Sequence, residues 1–204
     1  MIHVFESLAP TNFFSPFYKY FMYENMSDID IEKLKNHILN IEKDIIKNTT
    51  SKGDGRTGLG KKSLTSRHMS FNLFNSDETI FLKDNIKKNL KLFLKGLKIP
   101  MPKKIYGKCW ANVMREEEQI KRHRHSVENT SFLSGHLCVE INKTGTYYVN
   151  PFDDTAFKLE NKPGKITIFP SWIEHYTDVT SSRRITVAFD LTLQPIENNN
   201  FVLI

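Results

Sequence analysis

The chain has 204 residues, of which 39% are hydrophobic, including 15 Phe and 7 Tyr. This length and composition predict a single folded domain with a sizeable core and exclude a disordered chain. No apolar run approaches the roughly 20 residues of a membrane helix, and the N-terminus lacks the pattern of a signal peptide. Two cysteines are too few for a disulfide scaffold, so we expect a cytoplasmic protein without a membrane partner.

The net charge is +6, and the excess lies in residues 1–100, where 16 Lys and Arg stand against 11 Asp and Glu. A basic surface can attract nucleic acid. An accessory nucleic-acid-binding protein, using the lysines around residues 52–62, is therefore one alternative function.

The first 104 residues are expected to form mainly helical support. Apolar residues recur at helical spacing in residues 28–48 and again in residues 77–97, where Gly96 and Pro100 favour an end. Asp28 or Asp30 is a suitable N-cap for the first helix.

Between these helices, residues 49–66 are rich in glycine and basic residues, which predicts a flexible surface loop that could cover a site. The spacing from Gly55 to Lys61 superficially matches a phosphate-binding loop. However, Lys62 stands where Ser or Thr is required, and a helix precedes the segment, so we reject a nucleotide site.

From residue 105 to 195 the pattern changes to short alternating segments rich in Val, Ile, Thr, Tyr and Phe. Such a series separated by turn residues predicts an antiparallel sandwich or barrel. The predicted strands are 105–114, 132–141, 146–152, 165–171 and 184–193.

The β half also holds the residues most suited to chemistry. Alternation places His123 and His125 on one face of a strand end, and His175 follows a later strand. Three such histidines could form a facial site for a redox metal that leaves positions open for substrate and dioxygen. With ordinary histidine pKa values, its metal affinity should fall below about pH 6.5. His136 is expected to be a packed histidine rather than a ligand.

Nine residues after His175, Arg184 opens another strand, followed on the same face by Thr186. An arginine that points into a barrel needs an anionic partner, and its planar fork suits a carboxylate. A surface Arg–Glu pair is the alternative for this position and for Arg183.

Several motifs occur in a recognisable order: His123–His125, Ser134-Gly135, the segment 163–171 from Pro-Gly to Phe-Pro-Ser, His175, and Arg184–Thr186. Over about residues 106–192 the chain resembles the iron(II)- and 2-oxoglutarate-dependent oxygenases. Within them it is most similar to a small family of such proteins from bacteria and phages, and more distantly to the prolyl hydroxylases.

The resemblance implies an α+β fold, a double-stranded β-helix (a jelly roll or cupin-like barrel) supported by N-terminal helices in one domain, 1–204. It implies Fe(II) held by His123 and His175, and 2-oxoglutarate bound to Arg184 and Thr186. Tyr147 or Tyr148 could bind the far carboxylate of 2-oxoglutarate or could simply pack in the core.

The chain departs from the usual pattern of this superfamily, which has HxD or HxE where this chain has His125. His125 could complete a three-histidine site, or Glu128 from the following turn could be the third ligand. A damaged, inactive site is the third alternative.

The function implied is a dioxygenase that hydroxylates an unidentified substrate with Fe(II), 2-oxoglutarate and dioxygen. A peptide or a small molecule is favoured as substrate, and nucleic acid is not excluded. A cupin-like barrel that binds a metal or ligand without oxygenase activity is the alternative. If the protein is encoded by a phage, the expected location is the host cytoplasm.

Overall fold

The computed structural model describes residues 2–4, 21–51, 53, 57–125, 131–196 and 200–204. These residues form two β-sheets, two α-helices and three single-turn 3-10 helices. The strands are β1 Ile2–Val4, β2 Phe21–Met26, β3 Tyr106–Met114, β4 Ser131–Glu140, β5 Gly145–Val149, β6 Ala156–Glu160, β7 Lys165–Pro170, β8 His175–Thr177, β9 Arg184–Thr192 and β10 Val202–Leu203.

All the strand pairs are antiparallel. The larger sheet has the order β1-β2-β7-β4-β9-β3-β10, and the smaller one has the order β6-β5-β8. From β4 to β9 the chain passes between the two sheets several times, as in a jelly roll. The sheets do not close into a continuous barrel. The predicted double-stranded β-helix is confirmed.

Helix α1 spans Ile31–Asn48, and helix α2 spans Phe81–Gly96. The carboxylate of Asp30 caps α1 by accepting a hydrogen bond from the Lys33 amide at 3.0 Å. The second helix begins later than the spacing predicted, because residues 77–79 form a 3-10 turn. Ile80, which the pattern placed in the core, is consequently 46% exposed.

Both helices pack on one face of the larger sheet. Leu34 and Ile38 of α1, with Leu90 and Phe93 of α2, belong to the same buried cluster as the odd-numbered residues 185–191 of β9. Since side chains alternate along a strand, the even-numbered residues of β9 point to the other face, toward the smaller sheet. The fold thus separates an apolar face under the helices from a polar interior face.

Two features of the first hundred residues were not predicted. Strand β2 pairs with β7, with Tyr23 opposite Ile168, so the N-terminal half contributes to the larger sheet. Within the 49–66 segment, Leu64 is fully buried and Leu59 packs against Met114 and Ile120. Residues 52 and 54–56 of this segment lie outside the described part of the chain.

None of the helices in the described residues combines the length and the apolar character that a bilayer crossing requires.

Candidate metal and cosubstrate site

The three predicted histidines lie together between the two sheets. His123 and His175 exchange a pair of backbone hydrogen bonds, with N–O distances of 3.0 and 2.9 Å. The amide of His125 donates to the carbonyl of Ser171 at 3.0 Å, which ties the same segment to the end of β7. One atom of each histidine ring lies within 4.8 Å of the corresponding atoms of the other two.

Each ring has an acceptor at Nδ1. His123 Nδ1 lies 2.7 Å from the Lys121 carbonyl, and His175 Nδ1 lies 3.2 Å from the Ile173 carbonyl. His125 Nδ1 lies 2.7 Å from Oδ1 of Asp190. These acceptors assign the proton to Nδ1 in all three rings, which leaves an unprotonated Nε2 on each.

The Nε2 atoms of His123 and His125 are 3.1 Å apart. Two nitrogen lone pairs at this distance repel each other unless a cation or a proton lies between them. Adjacent imidazole ligands with metal–nitrogen bonds of about 2.1 Å have a similar separation. The donor set therefore fits a divalent metal ion held by three imidazoles.

Two of the three rings, those of His123 and His175, are held neutral by their surroundings. Burial, and secondarily the neighbouring His125, lowers the pKa of His123 to about 4. Burial, followed by the charges of His123 and His125, lowers the pKa of His175 well below its ordinary value. A neutral imidazole is the form that binds a metal, so these rings are ready to bind it at neutral pH.

A cavity of about 170 Å³ opens from the three histidines into the space between the sheets. Arg184, Thr186, Asn112 and Thr146 line it, and Trp110, His68 and Arg124 also contribute to its wall. Thr57 and Thr65 bring part of the 49–66 segment to the same cavity.

Arg184 is the buried cation of this cavity, with 2% of its surface exposed. Nη1 contacts the sulfur of Met114 at 3.3 Å and Nη2 contacts Thr146 Oγ1 at 3.5 Å, whereas Nε has no partner. Among the described residues no carboxylate forms an ion pair with it. An unpaired guanidinium is costly to bury, and here burial lowers its pKa. The site therefore favours an anionic ligand.

Polar groups next to Arg184 could share that ligand. Thr186 Oγ1 accepts a bond of 3.4 Å from Asn112, whose side-chain oxygen accepts a bond of 2.9 Å from Thr65. His136 also lines the cavity, and its buried Nε2 has no hydrogen-bond partner in the described residues. Burial, and then the charge of Arg184, lowers the pKa of His136 to about 3, so the ring is neutral at pH 7.

Solved structures with a similar architecture include two prolyl hydroxylases. A prolyl-4-hydroxylase from Pseudomonas putida superposes with a TM-score of 0.60 at 8% identity, covering 85% of this chain and 93% of that one. A Trichoplax adhaerens prolyl hydroxylase, solved with a hypoxia-inducible-factor peptide fragment, gives 0.59 at 9% identity, with 84% and 83% covered. The chain has the fold of the 2-oxoglutarate- and Fe(II)-dependent oxygenases.

Two further similar structures were solved with 2-oxoglutarate bound, one of them also with iron. A collagen prolyl hydroxylase of Paramecium bursaria Chlorella virus-1, solved with 2-oxoglutarate, gives a TM-score of 0.53 at 12% identity, with 83% and 94% covered. The epimerase SnoN, solved with Fe³⁺ and α-ketoglutarate, gives 0.52 at 10% identity, with 84% and 78% covered. No protein-family profile matches the sequence. No curated protein matches it significantly either. The similarity between this chain and these structures is therefore a similarity of fold.

The two tyrosines proposed for the cosubstrate lie in different places. The Tyr147 hydroxyl donates to Asp178 at 2.8 Å on the outer side of β5, and Tyr147 is not among the described residues that line the cavity. Tyr148 is buried against Phe169 and His175, and its hydroxyl has no partner in the described residues. Glu128, the alternative third ligand, lies outside the described residues.

The sequence analysis did not identify Asp190 as a site residue. Asp190 lies inside the apolar strand β9, and a carboxylate at an inward position of such a strand is the feature that marks it. His136 was expected to be packed, and the structure adds its unpaired Nε2 beside Arg184.

Proposed function

We propose that this protein is an Fe(II)- and 2-oxoglutarate-dependent dioxygenase that hydroxylates a C–H bond of its substrate. One observation carries the proposal. Three imidazole Nε2 atoms, each with its Nδ1 engaged elsewhere, converge in a cavity whose far side holds a buried, unpaired arginine.

In this proposal His123, His125 and His175 hold the metal on one side and leave its other positions open. When bound, Fe(II) supplies the redox chemistry by which dioxygen oxidises both 2-oxoglutarate, to succinate and carbon dioxide, and the substrate, to its alcohol. The rings of His123 and His175 present lone pairs without prior loss of a proton, because burial keeps both rings neutral.

Arg184 would bind the far carboxylate of 2-oxoglutarate. A charge-assisted pair with a guanidinium is among the stronger polar contacts in proteins, and its planar fork can hold both carboxylate oxygens. Thr186 and Thr146 can donate hydroxyl hydrogens to the same group, and neutral His136 can donate an N–H. Arg184, Thr186 and Thr146 are buried, and polar contacts are stronger in such an environment than in water.

The buried Arg184 also weighs against the alternative of a barrel that only binds a metal. Such a barrel has no need of an unpaired cation in its interior, whereas a dianionic cosubstrate supplies the missing charge. As substrate we propose a peptide side chain, because three of the structural neighbours are prolyl hydroxylases and one of them is complexed with a peptide.

The proposal is tested by two measurements on the purified chain. Anaerobic calorimetry should show one Fe(II) site, and 2-oxoglutarate should bind only weakly until the metal is present. Under air, the loaded protein should release succinate, with a higher rate when a screened peptide is a substrate. A metal-loaded protein that binds no 2-oxoglutarate would contradict the proposal.

A further inference from the structure

Asp190 is a buried carboxylate directly behind the proposed metal ligands. It is 5% exposed, and its Oδ1 accepts hydrogen bonds from His125 Nδ1 at 2.7 Å and from Ser134 Oγ at 2.6 Å. Ser134 Oγ lies a further 2.8 Å from Ser171 Oγ, in a chain of hydroxyls leading away from the carboxylate. A buried charge is costly unless it is paired, so the hydrogen-bond partners of Asp190 are the groups that stabilise its carboxylate.

Besides Ser134, the side chain that forms a hydrogen bond with the Asp190 carboxylate is His125. Lys108 lies directly opposite Asp190 in the β3–β9 register, and it is also buried. However, the Lys108 ammonium points to the sulfur of Met69 at 3.1 Å, and no ion pair joins it to Asp190. The short carboxylate–imidazole contact is therefore the interaction that fixes the carboxylate and the ring together.

A carboxylate on the outer nitrogen of a ligating histidine fixes its tautomer and makes its inner nitrogen a stronger donor. The common facial triad for Fe(II) has two histidines and one carboxylate, whereas this site has three histidines. In this protein the carboxylate is not a proposed ligand itself, but belongs to Asp190, which contacts the proposed ligand His125.

We propose that Asp190 is a positioning residue that supplies the negative charge of the metal centre through His125. The inference rests on the proposed metal site and adds a residue to it. It explains how a histidine can occupy the third position without leaving the centre one charge more positive than the common triad. It also implies that carboxylates at positions 125 and 190 disfavour each other, because the side chains of the two positions are in direct contact and like charges there repel.

This incompatibility of carboxylates at positions 125 and 190 can be tested by comparing two single variants with the double variant. Metal affinity is measured for the wild type, Asp190→Asn, His125→Asp and the double variant, using Co(II) and Fe(II) under anaerobic conditions. Asp190→Asn should bind roughly 10- to 100-fold more weakly, as removal of an outer carboxylate does, with a shifted Co(II) absorption spectrum. His125→Asp should bind weakly while Asp190 is present. In the double variant, Asp190→Asn removes the like charge and should raise the metal affinity at least roughly tenfold above that of His125→Asp.

Asp178→Asn is the matched control. Asp178 accepts hydrogen bonds from Tyr147 and from the Gly145 amide, and it does not contact the histidine cluster in the described residues. Its removal should leave metal affinity and the Co(II) spectrum unchanged. Circular dichroism of each variant checks the fold.

The results separate this inference from the proposed function. A wild type that binds no metal overturns both. A wild type that binds metal, with Asp190→Asn unchanged or with no rescue in the double variant, overturns the role of Asp190 alone. If Asp190→Asn does not fold, nitrogen NMR of the wild type decides: the inference requires the His125 proton on Nδ1, and a proton on Nε2 contradicts it.

Discussion

His123 and His175, 52 positions apart in the sequence, are joined by two reciprocal backbone hydrogen bonds of 3.0 and 2.9 Å. The backbone therefore fixes the relative position of these two residues without help from their side chains. Their rings are consequently free to serve a ligand, and their centroids lie 4.4 Å apart.

This bridge predicts that His123→Ala loses the metal but keeps the fold. The backbone bonds do not involve the imidazole, and a ring that is partly exposed leaves little cavity behind. We expect metal affinity to fall by at least roughly 100-fold, since a three-ligand site loses one ligand. The melting temperature of the metal-free protein should change little. His68→Ala, a cavity histidine outside the cluster, should keep the metal affinity of the wild type.

Adjacent arginines allow a controlled test of cosubstrate binding. Arg184→Ala should weaken 2-oxoglutarate binding to the metal-loaded protein by more than roughly tenfold, because a charge-assisted pair is lost. Arg183→Ala should have no such effect, since Arg183 is 41% exposed and forms an ion pair of 2.9 Å with Glu140. Calorimetry with both variants distinguishes the two. Equal affinities in the Arg184 and Arg183 variants would exclude the assignment.

The pH dependence of metal binding should differ from the sequence-based expectation of a fall below pH 6.5. Two ordinary histidines would together cost roughly 100-fold in affinity at pH 5.5 through proton competition. The pKa of His123 is about 4 and that of His175 is well below its ordinary value, so protons compete with the metal at these rings only at lower pH. We expect a loss of no more than roughly tenfold between pH 7.5 and 5.5, measured by Co(II) titration.

The same burial predicts acid sensitivity of the fold through His136. The pKa of His136 is about 3 in the folded chain, compared with 6.5 for an ordinary histidine in the unfolded chain. As the pH falls, the unfolded state therefore takes up the proton first. The free energy of unfolding is therefore not reduced by this group above pH 6.5. Below that pH the group lowers the free energy of unfolding, by about 2 to 3 kcal/mol at pH 4.5. Urea unfolding of the wild type should show this loss, and His136→Phe should show a smaller one. An identical decline in the variant would mean that other groups are responsible.

The 49–66 segment is predicted to take part in substrate contact. Thr57 and Leu59 lie at the cavity side of the fold, and the carbonyl of Thr57 accepts a hydrogen bond of 2.8 Å from the Lys121 amide. Deletion of residues 53–60 should leave metal affinity intact and lower succinate release with substrate by roughly tenfold or more, because substrate is held less accurately. Unchanged release would make the segment a passive connection.

The sequence predicted that His123 and His125 share one face and that His175 joins them, and the structure brings the three rings together. His123 is held by an isolated bridge to His175 rather than by the strand that the alternation predicted. The alternating segments predicted an antiparallel sandwich or barrel from local spacing alone. The double-stranded β-helix came from the resemblance to the oxygenases that the order of motifs carries. The neighbouring pair Tyr147 and Tyr148 shows the limit, since alternation says that they face opposite sides but not which one faces inward.

Only the tertiary structure decided which polar side chains inside apolar strands belong to the site. Asp190 and His136 lie in segments whose other residues form the core, and sequence spacing does not show their partners. The unpaired state of Arg184 is likewise a property of everything that packs around it. Pairing, burial and charge balance are set by residues distant in the chain, and it is their convergence between two sheets that makes three histidines a candidate site for a metal.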